Sequence, residues 1–426
     1  MAFVVAKFGG TSVASPERIQ MVARRLIASK QAGNQVVAVV SAMGKTTDEL
    51  VGLAKALNED PPAREMDMLL STGEQVSMSL LAMAIQARGY KAKSFTGWQA
   101  GITTDRNYSR AKIEDIDADR IKREVERGAI VIVAGFQGLT EDGDITTLGR
   151  GGSDTTAVAL AYGLGADVCE IYSDVDGVYT ADPRVCPRAK KLDEICYDDM
   201  LELSSAGAGV LQARAVEFAK KYNVVIHSRS AFTDTPGTFI KEVTPSMEQA
   251  VISGVAHDTS EVKVTIRDLK DQFGIASTVF SALAGNMVNV DMIIQNVSEE
   301  GHTDLTFTCP ESDLERACET VERVLPQIGA REYVVDKNIA KVSLVGTGMK
   351  SSPGVAARAF TALAENQVNI LLISTSPIRL SIVVEASQCA NAVRCLHTAF
   401  DLDSDQVFEE TQLSAEEIAA KMNKGR

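Results

Sequence analysis

The sequence of 426 residues predicts an α/β protein in which a leading domain built on a mostly parallel sheet is followed by two small ferredoxin-like βαββαβ units. Three observations carry that expectation. The first half alternates short apolar strand-like runs with longer helical patterns, the second half repeats itself with an offset of 80 residues, and the composition is that of a folded chain, with 45% hydrophobic and 23% charged residues. A chain of this length needs two or three cores rather than one.

The alternation runs through segments 3–8, 15–30, 35–40, 66–88, 130–134 and 155–163, read as strand, helix, strand, helix, strand and helix. Ser15-Pro16 is a helix start, with a hydroxyl to cap and a proline at the first helical position. Asp142-Gly143 marks a hairpin turn. The turn-rich stretch from Thr233 to Thr238 closes this domain, which is expected to span 1–244, with a boundary near Pro245.

Beyond the boundary, Gly274, Ala276, Phe280, Ala282, Leu283, Ala284, Asn286, Val288 and Asn289 recur as Gly354, Ala356, Phe360, Ala362, Leu363, Ala364, Asn366, Val368 and Asn369. Each copy reads strand, glycine-bearing loop, amphipathic helix, strand, which gives units at 245–336 and 337–426. A glycine delivered to a helix N-terminus exposes N–H groups that receive a carboxylate or merely cap the helix.

Composition also excludes. A net charge of −14, with no run of basic residues interleaved with aromatics, argues against nucleic-acid binding. No run approaches a membrane span and no signal peptide is evident, so neither a membrane nor a secretory role is expected. Seven scattered cysteines without a Cys-x-x-Cys pair fit a reducing cytoplasm, and four scattered histidines signal neither a zinc site nor a Ser-His-Asp arrangement. The histidines are read as structural.

Three segments could carry chemistry. Lys7-Phe8-Gly9-Gly10-Thr11 sets a cation and two glycine amides at a strand end, without the spacing of a Walker A loop or of a dinucleotide fingerprint. Gly149-Arg150-Gly151-Gly152-Ser153-Asp154-Thr155 places three glycines and a charge pair before an apolar helix, a pattern suited to an anion. Ser173-Asp174-Val175-Asp176-Gly177-Val178-Tyr179, continuing to Arg184, lacks the spacing and terminal Glu of a calcium loop and fits a nucleotide-facing strand end, with Tyr179 as an aromatic surface and Arg184 as a phosphate partner.

In this order the three segments resemble the amino-acid kinase family. The resemblance sharpens to its aspartate kinase branch through Lys7 to Ser12, Ser41-Ala42-Met43, Gly73-Glu74, Gly135-Phe136-Gln137-Gly138, Arg150 to Asp154 and Asp174 to Arg184. The two repeats are similar to the ACT domains that family members carry, with effector-side segments at Val290 to Asn296 and Leu372 to Ser376. The resemblance implies a three-layer, carbamate kinase-like catalytic domain. It implies Lys7 and Asp154 as catalytic residues, and Ser41, Thr47, Glu74, Phe136, Arg150, Gly151, Gly152 and Ser153 around aspartate, with Glu74 on the ammonium and Arg150 on the α-carboxylate. ATP, as its magnesium complex, would meet Lys7, Phe8, Gly9, Gly10, Ser173, Asp174, Tyr179, Arg184 and Gly209, with Gly9 and Gly10 donating backbone N–H groups to phosphate. No protein-held metal and no tightly bound organic cofactor are expected.

Lysine, threonine or both would act as effectors at Asp271, Gly274, Ile275, Ala276, Asn289, Val290, Asp291, Gln295, Asn369 and Ile370. The same likeness implies a homo-oligomer joined through ACT units, with a shorter regulatory subunit starting near Met247 as a further partner. Two positions depart from the family: Gly209 stands where a Lys is common, and Pro377 follows Ser374-Thr375-Ser376 where an acidic residue is frequent. Other amino-acid kinases, acting on glutamate, acetylglutamate, carbamate or a nucleoside monophosphate, lack the tandem repeat. A non-catalytic sensor, prompted by Gly209, would not need both Lys7 and Asp154.

Overall fold

The computed structural model describes residues 1–243, 251–270, 272–296 and 301–405. Pro245, Met247 and Asp271 lie outside the described residues.

The leading domain is organised by an eight-stranded sheet in the order Glu194–Cys196, Thr238–Lys241, Ile226–Ser230, Val168–Ser173, Phe3–Phe8, Gln35–Val40, Ile130–Ala134, Ala92–Phe95. Every neighbouring pair is parallel except Thr238–Lys241 against Ile226–Ser230. Its central strands are apolar on both faces, as a sheet covered twice requires. Val5, Val37, Val39, Val131 and Val133 enter one core with the helices Asp119–Glu126, Gly152–Leu164, Tyr197–Ser205 and Ala213–Tyr222. Val4, Ala6, Phe8, Val36, Ala38 and Val40 enter a second core with Pro16–Gln31 and Thr72–Gln86. The result is three layers, each Leu or Ile in them contributing about 1.5–3 kcal/mol by burial.

Local signals resolve as read, with one difference. Ser15 caps Pro16–Gln31 by accepting from the Arg18 N–H, and the hairpin at Gly143 joins Gln137–Leu139 to Ile145–Thr147 in a separate four-stranded sheet. The expected single helix over 66–88 is two, Ala63–Leu70 and Thr72–Gln86, which meet at Ser71, whose carbonyl accepts from the side chains of Gln75 and Gln137. Together Ala63–Gln86 is long and apolar enough to cross a membrane by composition, whereas the sequence reading found no such run; half of its most apolar stretch is buried in the domain.

Both repeats form antiparallel sheets backed by helices. The first unit follows the βαββαβ plan through Glu261–Lys270, Ile275–Gly285, Ile293–Gln295, His302–Pro310, Leu314–Ile328 and Glu332–Asp336. Gly274 and Gly354 cap equivalent helices with φ of 92° and 93°, a left-handed conformation that glycine adopts without a Cβ clash.

The second unit corrects the expected plan. Its strands are Ile339–Val345, Leu372–Thr375 and Arg379–Glu385, and its fourth is Gly254–Asp258, from upstream of the first unit. Gly254–Asp258 had been expected in the first unit. Its antiparallel pairing with Ile339–Val345 covers that strand's free edge and buries Val255 and Ala256.

Candidate active site

Lys7 is the penultimate residue of a central parallel strand, so it emerges where ligands meet open α/β sheets, beyond the carboxyl ends of the strands. Its ammonium lies 2.6 Å from Asp154 Oδ1, and both side chains are largely buried. Asp154 stands in the first turn of Gly152–Leu164, where the helix dipole favours a negative charge.

The turn before that helix is possible because of two glycines. Gly151 has φ 71°, and a Cβ there would fall 1.8 Å from the Gln212 side chain; a Cβ on Gly152 would press 2.8 Å from the Phe136 ring. Phe136 is itself left-handed at φ 70°, held by its N–H on Thr156 Oγ1 at 3.1 Å and its carbonyl under the Leu148 N–H at 2.8 Å. A bulky residue kept in that region stores strain of about 1–3 kcal/mol, a cost typical of sites where geometry serves function. Ser153 is buried beside Asp154, and Arg150 is exposed and makes no ion pair among the described residues, leaving its planar fork open to a carboxylate.

Glu74 is the most perturbed carboxylate of this region. It lies in the first turn of Thr72–Gln86 at 3% exposure; Oε1 accepts the Ala42 N–H at 3.1 Å, and Oε2 is buried with no hydrogen-bond partner among the described residues. Burial pushes its carboxyl up to about 7. An orphaned acceptor of this kind is suited to a buried cation such as an amino group. Ser41 and Thr47 are half-buried, one just past Gln35–Val40 and beside Ala42, the other in the first turn of Thr46–Leu57; the Ser41 carbonyl accepts from Ser77 Oγ of the Glu74 helix.

On the expected nucleotide side two readings change, those of Phe8 and Gly9, and Arg184 is found in an ion pair. Phe8 is fully buried and stacks on Tyr172 with centroids 4.8 Å apart, so only its backbone reaches the strand end. The Gly9 N–H donates to the Tyr172 carbonyl at 3.2 Å, so in this conformation it is already used and is not open to phosphate. Arg184, expected on phosphate, grips Asp182 through Nε at 3.0 Å and Nη2 at 2.8 Å. Ser173 ends its strand, Asp174 is exposed, and the Tyr179 hydroxyl donates to Asp176 at 2.8 Å. Gly209 sits between Tyr197–Ser205 and Ala213–Tyr222, in the segment whose Gln212 packs against Gly151.

Two anchors, one buried and one half-buried, had no sequence signal. Asp67 accepts from the N–H groups of Ser109 and Thr147 at 2.8 and 2.9 Å and from Thr147 Oγ1 at 2.6 Å, and Arg214 donates to the carbonyls of Leu148 and Ala111 at 2.7 Å each. Together they fix the Thr147-Leu148 segment that leads into the glycine turn and tie it to the Ser109 to Ala111 loop.

Among the expected effector residues, Gly274 caps its helix, Ile275 is buried, Val290 and Ile370 are half-buried, and Ala276, Asn289, Gln295 and Asn369 are exposed; the Asn289 N–H donates to Asp313. Asp291 is not an open acceptor, since Lys341 Nζ, almost fully buried, lies 2.6 Å from it and also contacts Glu261. Glu261 and Lys341 occupy equivalent places in the two repeats, so opposite charges join the copies.

Comparisons with known proteins give the family. The model of the amino acid kinase family matches residues 2–229, and that of an ACT domain matches 262–325 and 342–400. An aspartokinase of Mycolicibacterium smegmatis is 52% identical over 95% of this chain and 97% of its own length, and one of Corynebacterium glutamicum is 52% identical over the same shares. A crystal structure of Escherichia coli aspartokinase III with aspartate and ADP superposes with a TM-score of 0.78 at 25% identity, covering 93% of this chain and 99% of its own. The lysine and aspartate complex of the same enzyme gives 0.73 at equal coverage and identity. With a family model spanning more than half of its length and relatives identical at half of all positions from end to end, the chain belongs to the aspartokinase family of amino acid kinases.

Proposed function

We propose that the chain transfers the γ-phosphoryl group of ATP to the side-chain carboxylate of L-aspartate, giving 4-phospho-L-aspartate, the first step toward lysine, threonine and methionine, and that its ACT units impose feedback by end-product amino acids. The observation that carries this reading is the Lys7–Asp154 pair at 2.6 Å, set at a strand end against a glycine turn, with Glu74, whose Oε2 has no hydrogen-bond partner among the described residues, in the first turn of the helix Thr72–Gln86 on the other face of the sheet.

The attacking carboxylate is ionised at neutral pH and needs no general base. Its obstacle is repulsion from the polyphosphate, so catalysis rests on positioning and positive charge. Lys7 supplies a cation whose position Asp154 fixes, and acts on charge that develops during transfer. Glu74 meets the aspartate ammonium and gains the partner that its Oε2 lacks. Arg150 offers two parallel donors to the α-carboxylate, while Ser41, Thr47, Phe136 and Ser153 complete the aspartate side and Gly10, Ser173, Asp174, Tyr179, Arg184 and Gly209 the nucleotide side. Magnesium arrives with ATP as part of the substrate and neutralises phosphate charge.

Lysine as an effector is supported by the lysine complex of E. coli aspartokinase III; threonine is proposed for the same units. The edge strands Ile293–Gln295 and Leu372–Thr375 expose Ile293 and Ile373, which supports pairing of ACT units between copies. A shorter subunit starting near Met247 would retain Gly254–Asp258 and hence both sheets. Seven free cysteines support a cytoplasmic location.

The test is formation of aspartyl hydroxamate from ATP, aspartate and hydroxylamine, with glutamate, acetylglutamate and carbamate as competing acceptors. Turnover confined to aspartate is expected. Lysine or threonine binding without hydroxamate would make the chain a sensor instead.

A further inference from the structure

The segment assigned to the nucleotide does not end in the catalytic domain. Beyond Tyr179 it runs into the second ACT unit, where Ala181, Cys186 and Ala189 are buried in one apolar cluster with Val255, Ala340, Leu344, Leu363 and Leu396. Residues two, seven and ten positions past Tyr179, the proposed adenosine surface, are thus core residues of the regulatory unit.

Thr180 is the point of attachment. It is 3% exposed, its carbonyl accepts the Val255 N–H at 2.7 Å, and its own N–H donates to the Lys190 carbonyl at 2.9 Å. Its hydroxyl oxygen accepts the Lys190 N–H at 2.8 Å and lies 2.8 Å from His397 Nε2. His397, on the helix Cys389–Ala399, is fully buried, and its Nδ1 lies 2.8 Å from Asp403 Oδ1.

These contacts fix the proton positions. An ionised Asp403 only accepts, so Nδ1 carries the hydrogen; Nε2 is then an acceptor, and the Thr180 hydroxyl, already accepting from Lys190, donates to it. The Cys186 thiol belongs to the same group, all three ligand-type atoms lying within 4.8 Å of one another. Because both ring nitrogens are used, the ring acts as a bridge rather than as an ion ligand. Ser404 adds an N–H to the Arg188 carbonyl at 2.8 Å, so the end of the described chain grips the same loop.

We propose that His397 is a positioning residue of the second ACT unit that holds Thr180, and through it the stretch Tyr179 to Arg184, in the conformation that receives ATP. Regulation then reaches the reaction as a change in nucleotide affinity. The proposal rests on the reading that Tyr179 and Arg184 face the nucleotide. Nothing in it requires His397 to touch a substrate.

The test uses the full chain and four variants, Thr180→Val, Thr180→Ser, His397→Gln and the Thr180→Val/His397→Gln double, each checked by its melting transition. ATP KM, aspartate KM, kcat and direct ADP binding are read in each. Loss of a buried hydrogen bond predicts that Thr180→Val raises ATP KM and ADP Kd roughly fivefold or more. Aspartate KM stays within about twofold, the scale of a substitution that leaves a site alone. Thr180→Ser, which keeps the hydroxyl, restores ATP affinity, and the double variant is no worse than the poorer single one, as for two members of one unit. A Thr180→Val protein whose two KM values rise together, or a double variant whose effects simply add, overturns the proposal. Arg184→Ala separates the two layers of argument. If it leaves ATP KM unchanged, the nucleotide reading fails and takes the proposal with it; if it raises ATP KM while Thr180→Val does not, only the role of His397 and Thr180 fails.

Discussion

Glu74 offers a direct trade between stability and binding. Its position near a helix N-terminus and its bond from the Ala42 N–H both favour the ionised form, yet burial outweighs them and lifts the carboxyl from 4.5 to about 7. That gap corresponds to roughly 3 kcal/mol, at ~1.4 kcal/mol per pH unit. The sign follows from proton counts. Between pH 4.5 and about 7 the folded protein retains a proton that the unfolded chain has lost, so folding stability falls as pH rises through this window, and the full cost applies above it. Glu74→Gln keeps the acceptor for Ala42 and removes the titration. Urea unfolding without ligand should therefore find the variant near wild type at about pH 5 and more stable by up to roughly 3 kcal/mol at about pH 8. Aspartate should reverse the preference, because its ammonium supplies the partner missing at Oε2. Wild-type aspartate KM should rise as pH drops below about 7, by up to ~tenfold per unit, while the variant's KM stays flat and is raised by about 10² or more. A stability difference equal at both pH values, or a wild-type aspartate KM flat between about pH 6 and 8, would refute the reasoning.

Four further outcomes are expected. Lys7→Ala should lower kcat by roughly 10² or more with modest change in either KM, and near-normal kcat in the folded variant would remove Lys7 from the chemistry. Arg150→Lys should raise aspartate KM far more than ATP KM, since a two-bond partner becomes a point charge; the opposite split would move Arg150 to the nucleotide. Gly209→Lys has room, its nearest neighbour to an added Cβ being the Gly207 carbonyl oxygen at 3.9 Å, although φ 25° favours glycine; higher kcat or tighter ATP is expected if the position faces phosphate, and unchanged activity would show that another group serves. Gln295→Ala and Ala276→Val, both at exposed positions, should weaken inhibition by lysine or threonine while leaving uninhibited kcat nearly intact, and undiminished inhibition would place the effector elsewhere.

What the sequence discloses follows from how far apart the cooperating residues lie. Lys7 and Asp154 were legible because each carries its own neighbourhood of glycines, one at a strand end and one before an apolar helix. The repeat was legible because Gly274 and Gly354 recur with the same helix pattern, and the structure gives them nearly the same φ. Asp67 and Arg214 were not legible, since an isolated charge in a helix reads as solvated and their partners are 42 to 103 residues away. The same holds for His397 and Thr180, separated by 217 positions. Backbone hydrogen bonds explain the remainder: glycine content proposed the Gly9 amide for phosphate, but pairing with Tyr172 could be seen only once the strands were aligned. The fourth strand of the second sheet was hidden for a related reason, because a five-residue run does not announce its partner.

That strand has a consequence for how the chain can be cut and made. Asp258 lies opposite Lys341 in the ladder, so the first regulatory unit leaves and re-enters the second between two adjacent strands and is topologically a large loop within it. Excising that loop and bridging its ends with a tight turn would convert Gly254–Asp258 and Ile339–Val345 into an ordinary hairpin and leave the outer sheet whole. Truncating the chain just after Asp336 does the reverse: it spares the inner unit and strands Val255 and Ala256 without the neighbour that shields them. On the ribosome every nascent chain passes through that truncated state. The inner unit can close from its own contiguous sequence, whereas the outer one must wait for distant residues to emerge, and it will be the later and more aggregation-exposed of the two to fold.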